Sequence, residues 1–297
     1  MTDLGPPRWS HARLRGFRCL HDVTLPLAPL TALIGPNESG KSTLLAALHI
    51  LALRGRLEPP ADAQVHTLAP GDAAPVLGPP PHGAYLVKLE PSALREPVPA
   101  LEDHRAVPTW EPTGLGLALL YDAVRLEAPH MFEDLERDLA ELHPGIAGLD
   151  LEALGPTQRV LGVRTVYGRS LPPEAVGDGL LLWLGFRALL FLEPAPLVLV
   201  EHPERSLHPA RLWEIMRLFR MVSEQSTGVL TTHSPRVLDE LEGQEIVLVT
   251  RDPNTGTQAL RLCDTNNYDK RRVVFKPGEL WVEYCDGVTE ENLRGGG

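Results

Sequence analysis

The sequence is poor in several things that would otherwise point to a function. Cysteine occurs three times, at Cys19, Cys263 and Cys285, and positions so scattered exclude a disulfide framework and a cysteine-rich zinc site. Basic residues are scarce beside acidic ones, 28 against 39, for a net charge of −11, so the totals offer no general basic surface for nucleic acid. The opening "MTDLGPPRWS" lacks the charged-then-apolar pattern of a secretory signal, which makes the cytoplasm the expected compartment. The run "GLLLWLGFRALLFLEPAPLVLV", residues 179 to 200, is long, but Arg187, Glu193, Pro194 and Pro196 interrupt it. It reads as a buried helix followed by a buried strand rather than a membrane span. No internal repeat is visible. What is abundant is ordinary apolar residue, 43% of 297, enough for the core of one large domain or two small ones.

Along the chain, "WSHARLRGF" and "LTALIG" read as strands joined by "LHDVTLPLAP". The second strand runs into a glycine-rich loop and then into a helix, "KSTLLAALHILALRG". Residues 56 to 82 are rich in Pro and Gly and predict no regular element. "AYLVKLEP" alternates as a strand does, "LGLALLYDAVRLEA" and "MFEDLERDLAELHPG" read as helices, and "TQRVLGVRTVYG" as a strand. The expected layout is an N-terminal lobe over 1–55, an inserted arm or lid over 56–170, a resumed core over 171–250 and a C-terminal hairpin and docking tail over 251–297. In the resumed core, strands alternate with helices and are almost continuously apolar, which predicts an α/β fold with a parallel sheet.

Gly35-Pro36-Asn37-Glu38-Ser39-Gly40-Lys41-Ser42 fits G-x-x-x-x-G-K-[ST]. Glycines let several backbone N–H groups face one point, the next helix offers its positive end, Lys41 reaches the terminal phosphates, and the Ser42 hydroxyl can ligate Mg²⁺. Thr43 belongs to the same nucleotide-binding turn. A chance glycine turn would not explain the strand before it and the helix after it. The pattern therefore implies a P-loop nucleotide site with ATP and Mg²⁺ as cofactors. A second acid-bearing stretch, "LVLVEHPERSLHP" at 197 to 209, puts Glu201 at the carboxyl end of a buried strand, where it can hold the Mg²⁺ shell. The plainer alternative is an acid that merely caps a strand at the surface.

These stretches, in this order, resemble the ABC-type ATPase domains of the SMC, RecF and OLD group, in particular the compact ATP-binding subunits of bacterial anti-phage systems (Septu PtuA-like) that lack a TOPRIM nuclease domain. "RLRGFRCLHDVTLPLAPLTALIGPNESGKSTLLAAL" resembles the group's first strands and Walker A. "LVLVEHPERSLHP" resembles its Walker B and D-loop, "LTTHSP" its switch histidine, and "LPPEAVGDGLLLWLGF" its signature region. The resemblance implies a P-loop NTPase with an ABC-ATPase-like sheet, flanking helices and an inserted helical or irregular arm. It also implies head-to-tail pairing, as a homodimer, a higher oligomer or with a paired ATPase chain. One partner then supplies Lys41, Ser42, Glu201 and His233, and the other the signature at Gly177, Asp178 and Gly179.

The departures from the group's pattern matter as much. With Pro203 as the anchor, the Mg²⁺ aspartate is Glu201, the water-polarising glutamate is His202, and the signature serine is Gly177. Losing a positioned base typically costs about 10²- to 10⁴-fold in rate, so slow hydrolysis is expected. Neutral histidine is a competent base near neutral pH, and Glu204 is a second candidate; equally, His202 can be a histidine packed beside the D-loop. His233 reads as a γ-phosphate sensor or as a polar strand end. His202 with His208 has no further ligand to complete a metal site, and neither Gln64 nor Gln158 is assigned as a Q-loop residue.

The last part reads as a β-hairpin, "EIVLVTRDPNTGTQALRLCDT", followed by a closing strand or docking element, "FKPGELWVEYCDG". It is too short for a TOPRIM domain, so any nuclease is expected on a separate effector chain. Trp281 and Tyr284 could anchor such a partner or lie in the core. Lys270, Arg271 and Arg272 could touch DNA or form a solvated turn. Three functions remain in play: an ATPase that controls an effector in phage defence or DNA surveillance, a non-hydrolysing nucleotide-dependent scaffold, and, less well matched, a small-molecule P-loop kinase.

Overall fold

The computed structural model describes residues 9–52, 64–68, 83–99, 110–154, 158–266 and 268–285. Most of the Pro- and Gly-rich stretch 56–82 and the Tyr284 side chain lie outside these. The chain forms two compact units, one from residues 1–86 with 193–297 and the other from 87–192.

In chain order the first segment supplies strands β1 (His11–Phe17), β2 (Leu20–Pro26) and β3 (Leu30–Ile34), helix α1 (Lys41–Ala52), and strands β4 (Gln64–Leu68) and β5 (Ala84–Val87). The middle segment supplies α2 (Pro91–Arg95), β6 (Val98–Pro99), α3 (Leu117–Glu127), α4 (Pro129–Leu142), β7 (Ile146–Leu154), β8 (Gln158–Thr165), β9 (Ser170–Leu171) and α5 (Asp178–Arg187). The last supplies β10 (Leu197–Glu201), α6 (Leu212–Val222), β11 (Thr227–Thr231), α7 (Pro235–Leu238), β12 (Ile246–Asp252), β13 (Gly256–Arg261), α8 (Tyr268–Arg271) and α9 (Pro277–Cys285).

The first unit is built on a six-stranded sheet, ordered β13-β12-β3-β11-β10-β5. Strands β12, β3, β11 and β10 run parallel, and β13 returns antiparallel from β12 as the expected hairpin. All five residues of β3 and of β11 are buried, as strands covered on both faces require. A second sheet, β2-β1-β4, is antiparallel. Its inward residues Leu14 and Leu25 join Leu44 and Leu48 of α1 and Leu199 and Val247 of the large sheet in one core. Each such fully buried side chain contributes roughly 1.5–3 kcal/mol. Together they fix α1, and hence the loop before it, to the sheet.

Several expectations need correction. The connector "LHDVTLPLAP" contains β2: Leu20, Val23 and Leu25 are buried while His21, Asp22 and Thr24 are exposed, an alternation that pairs with β1 in register from Phe17↔Leu20 to His11↔Pro26. The stretch 56–82 holds a regular element after all, β4, because the open edge of β1 gives it backbone partners. The closing element at 277–285 is a helix rather than a strand. Pro277 is its first residue, and the Glu279 carboxylate accepts the backbone N–H of Lys276 at 2.8 Å, which caps the first turn. Of the two roles the sequence left open for its Trp281, burial gives the core one. The basic cluster is likewise engaged within the fold, Arg271 with Glu283 and Arg272 with Asp269.

The second unit is an antiparallel sheet, β6-β8-β7 with β9 on the side of β8, and strand β7 was not legible beforehand. Helix α4 turns Phe132, Leu135 and Leu139 inward, at the three- and four-residue spacing of one helical face. In α5 every residue from Leu180 to Phe186 is buried, and the Tyr121 hydroxyl of α3 donates to the Leu184 carbonyl at 2.6 Å. The two compact units meet in sequence at 86/87 and 192/193. The physical reason is pairing: β4 and β5 are bound into the sheets of the first unit, while α5 is packed with the helices of the second. Among the described residues no helix is long and apolar enough to cross a membrane.

Candidate nucleotide site

The phosphate loop lies between β3 and α1, and its shape is set by two glycines that nothing else could replace. Gly35 has φ +152°, and a Cβ there would stand 2.0 Å from the Val249 carbonyl oxygen. Gly40 has φ +109°, and its Cβ would stand 2.5 Å from the Thr257 hydroxyl. Both conformations belong to the region that L side chains rarely enter. Thr257 also donates to the Ser39 carbonyl at 3.0 Å, so β13 closes the loop from behind. Pro36, Asn37 and Glu38 form an exposed tip, with Glu38 in the left-handed region at φ +64°. Ser39 is buried, and its hydroxyl oxygen has no hydrogen-bond partner.

Lys41 is only 6% exposed. Its ammonium donates to the carbonyls of Gly35 and Pro36, both at 2.8 Å, and burial lowers its pKa from the usual lysine value. The next residue makes the link to the second stretch: the Ser42 hydroxyl donates to Glu201 Oε1 at 2.7 Å. Thr43 is half-buried in the first turn of α1. The loop glycines, the orphaned Ser39 hydroxyl, a buried cation and a hydroxyl paired with a carboxylate form a donor set that fits a nucleotide phosphate with Mg²⁺.

Beyond Glu201 the backbone turns sharply. His202 has φ +51°, and its N–H donates to the Thr231 carbonyl at 3.1 Å, with the Thr231 hydroxyl 3.3 Å away. Its ring lies parallel to that of His233, centroids 5.2 Å apart and 10° between planes. The Nδ1 atom is 3.3 Å from Glu204 Oε1, and the same oxygen accepts the His233 N–H at 3.0 Å. Burial alone would raise the pKa of Glu204, but the hydrogen bonds from His202, the His233 backbone and Thr232 outweigh it and hold the carboxylate below its ordinary value. His233 is also shifted down, by burial and then by the neighbouring charges of Lys41, His202 and Arg205, against which Glu204 acts. Burial and these charges favour the neutral imidazole.

The first unit thus brings together Gly35, Gly40, Lys41, Ser42, Glu201, His202, Glu204 and His233. The signature residues Gly177, Asp178 and Gly179 belong to the other unit, where Gly177 precedes the first turn of α5 and accepts the N–H groups of Leu180 and Leu181. A Cβ at Gly177 would meet nothing within 4 Å. Sequence reasoning missed Thr231 and Thr257, which shape the loop and the turn after β10, and Arg95, which holds Asp178 in the other unit and has no part in the loop. Thr231 was within reach, since it stands beside the switch histidine in "LTTHSP". Thr257 and Arg95 carried no local signal; Arg95 lies in a proline-rich stretch, and only the fold shows it bonded to Pro91, Pro173, Val176 and Asp178.

Two protein-family models match the chain, an AAA ATPase domain over residues 10–73 and an AAA domain described with the AbiEii toxin and Type IV TA system over residues 135–239. A 39-residue stretch is 51% identical to the OLD nuclease of Thermus scotoductus; it is 13% of this chain and spans 7% of that protein's length. Among solved structures, the Smc head bound to the C-winged helix domain of ScpA matches with a TM-score of 0.54 at 17% identity, over 86% of this chain and 97% of that one, a likeness of fold. With the phosphate loop, Glu201 and His233 gathered at the carboxyl end of the parallel strands, these matches support an ABC-type ATPase domain of the SMC/RecF/OLD kind.

Proposed function

We propose that this protein binds Mg-ATP in the loop at 35–43, pairs head to tail with a second ATPase domain, its own copy or another chain, and in that state controls a separate effector such as a nuclease. The single observation that carries the reading is the 2.7 Å bond from Ser42 to Glu201 beside a buried Lys41. It joins two segments 159 residues apart in the arrangement a metal-bound triphosphate needs. Lys41 would hold the terminal phosphate oxygens, and Ser42 and Glu201 the Mg²⁺. Bound Mg²⁺ supplies positive charge against the oxygens that gain charge as the terminal phosphoryl group leaves. The same reading extends to the cytoplasm and to a role in anti-phage defence or DNA surveillance with DNA as a partner; the likeness to an OLD nuclease and to a toxin-associated AAA domain is what supports its nuclease side.

In this reading His202 stands where the group has its water-polarising glutamate. Glu204 engages its Nδ1 and so fixes the ring, which leaves Nε2 to accept the proton of an attacking water. Glu204 itself, bonded to both His202 and the His233 N–H, is a poor candidate for the base. A second reading, a nucleotide-held scaffold that does not hydrolyse, is favoured by the same engagement of Glu204 together with the bare Gly177. ATP turnover and assembly mass of the wild type beside Lys41→Ala and His202→Glu separate the two. Turnover in the wild type that Lys41→Ala abolishes supports the slow ATPase; assembly without turnover, with turnover gained in His202→Glu, supports the scaffold. Failure of the wild type to bind ATP overturns both.

A further inference from the structure

Helix α5 begins with an acid. Asp178 is exposed in its first turn, and Gly177 before it offers no side chain. A carboxylate at a helix N-terminus is well placed for the helix itself, because it meets the positive end of the dipole. It is badly placed for recognising an anion, since it repels the incoming charge. The signature of an ATP-sandwiched pair has to recognise an anion.

Arg95, at the end of α2, resolves the conflict within the same unit. One of its terminal nitrogens lies 2.6 Å from Asp178 Oδ1 and 2.8 Å from the Val176 carbonyl. Its Nε donates to the Pro173 carbonyl at 3.0 Å, and the other terminal nitrogen to the Pro91 carbonyl at 3.1 Å. The side chain is 23% exposed, that of Asp178 51%. A guanidinium with this many fixed acceptors is a rigid fork rather than a mobile surface charge. It binds the turn at 173–178 to α2 and pairs with Asp178, the acid of that turn that opens α5; the other, Glu174, is exposed.

We propose that Arg95 is a positioning residue of the signature. By pairing with the Asp178 carboxylate and offsetting its charge, it leaves the N-terminus of α5 able to face the triphosphate held in the phosphate loop of a partner copy. The inference rests on the head-to-tail reading above and deepens it: the charge state of the 95–178 pair sets how strongly nucleotide drives pairing, without touching nucleotide capture by the loop of the same chain.

The test uses the full chain, a fluorescent ATP analogue for affinity, and mass measurement with and without Mg-ATP for assembly. Arg95→Ala binds the analogue as the wild type does, while the protein concentration needed for Mg-ATP-dependent pairing rises at least about fivefold. Adding Asp178→Asn to Arg95→Ala brings it back to within about twofold of the wild type. Arg95→Lys, which keeps the charge, pairs nearly as the wild type does, and Arg95→Gln, which removes the charge at similar length, serves where Arg95→Ala folds poorly. If Arg95→Ala and Arg95→Gln pair normally, if their loss is not relieved by Asp178→Asn, or if it is shared by Arg95→Lys, the residue only braces the turn and the inference is overturned. A wild type that binds the analogue yet stays monomeric in Mg-ATP overturns the head-to-tail reading itself, and this inference with it.

Discussion

The phosphate loop and the end of β10 meet at the Ser42–Glu201 bond, yet they are held in shape by different means. The loop is a backbone object. Gly35 and Gly40 adopt conformations closed to other residues, with the Val249 carbonyl and Thr257 packed where a side chain would begin. The end of β10 is a side-chain object, in which His202, Glu204, His233 and Thr231 hold one another through hydrogen bonds and a ring stack. A structure fixed by the backbone tolerates almost no substitution, so the loop matches its motif in full. One fixed by side chains can carry an acid or an imidazole at a given position and keep its fold, as the function proposed for His202 requires.

Four experiments strain that contrast. The largest effect is expected at the side-chain end: His202→Glu raises ATP turnover about 10²-fold or more with little change in melting temperature, read by phosphate release and calorimetry. An equal loss of stability would mean the histidine is structural. At the backbone end the reverse holds. Gly35→Ala places a methyl against the Val249 carbonyl and costs about 3 kcal/mol or more, seen as a lower denaturant midpoint together with lost nucleotide binding. Between the two regions, Ser42→Ala and Glu201→Gln each weaken nucleotide binding about tenfold in Mg²⁺, and the double variant is little worse than either alone. Full additivity would show that the two groups act apart.

The smallest effect concerns pH. His233 has its folded pKa below the ordinary 6.5, so the unfolded chain binds the proton more readily. Stability is therefore whole above about pH 6.5 and falls as the pH drops through the folded value. His233→Gln removes this part of the decline, which melting temperatures between pH 7.5 and 5.5 would register. Glu204, also shifted down, contributes in the same direction only at lower pH, because the ordinary glutamate value lies near 4.5.

Much of the nucleotide site was legible because its signals are local. The glycines, Lys41 and Ser42 fall within eight residues of a strand–helix junction, and Glu201 and His233 each end an apolar run. The elements that were misread have weaker local signals or depend on distant partners. Strand β4 becomes a strand only because β1 has an open edge, and α9, misread as a strand, packs against α7, where the Gly278 N–H donates to Asp239. The two roles open to Trp281 are decided by that packing, which buries it.

By itself the sequence determined the phosphate loop, the parallel order of strands and helices around it and the identity of the altered residues, since backbone conformation and hydrophobic period are written over a few neighbouring positions. The tertiary structure alone decided that Ser42 reaches Glu201, that Glu204 serves His202 and His233, and that Arg95 restrains Asp178. These are meetings between residues far apart in the chain, and only the packed core brings them within hydrogen-bonding distance.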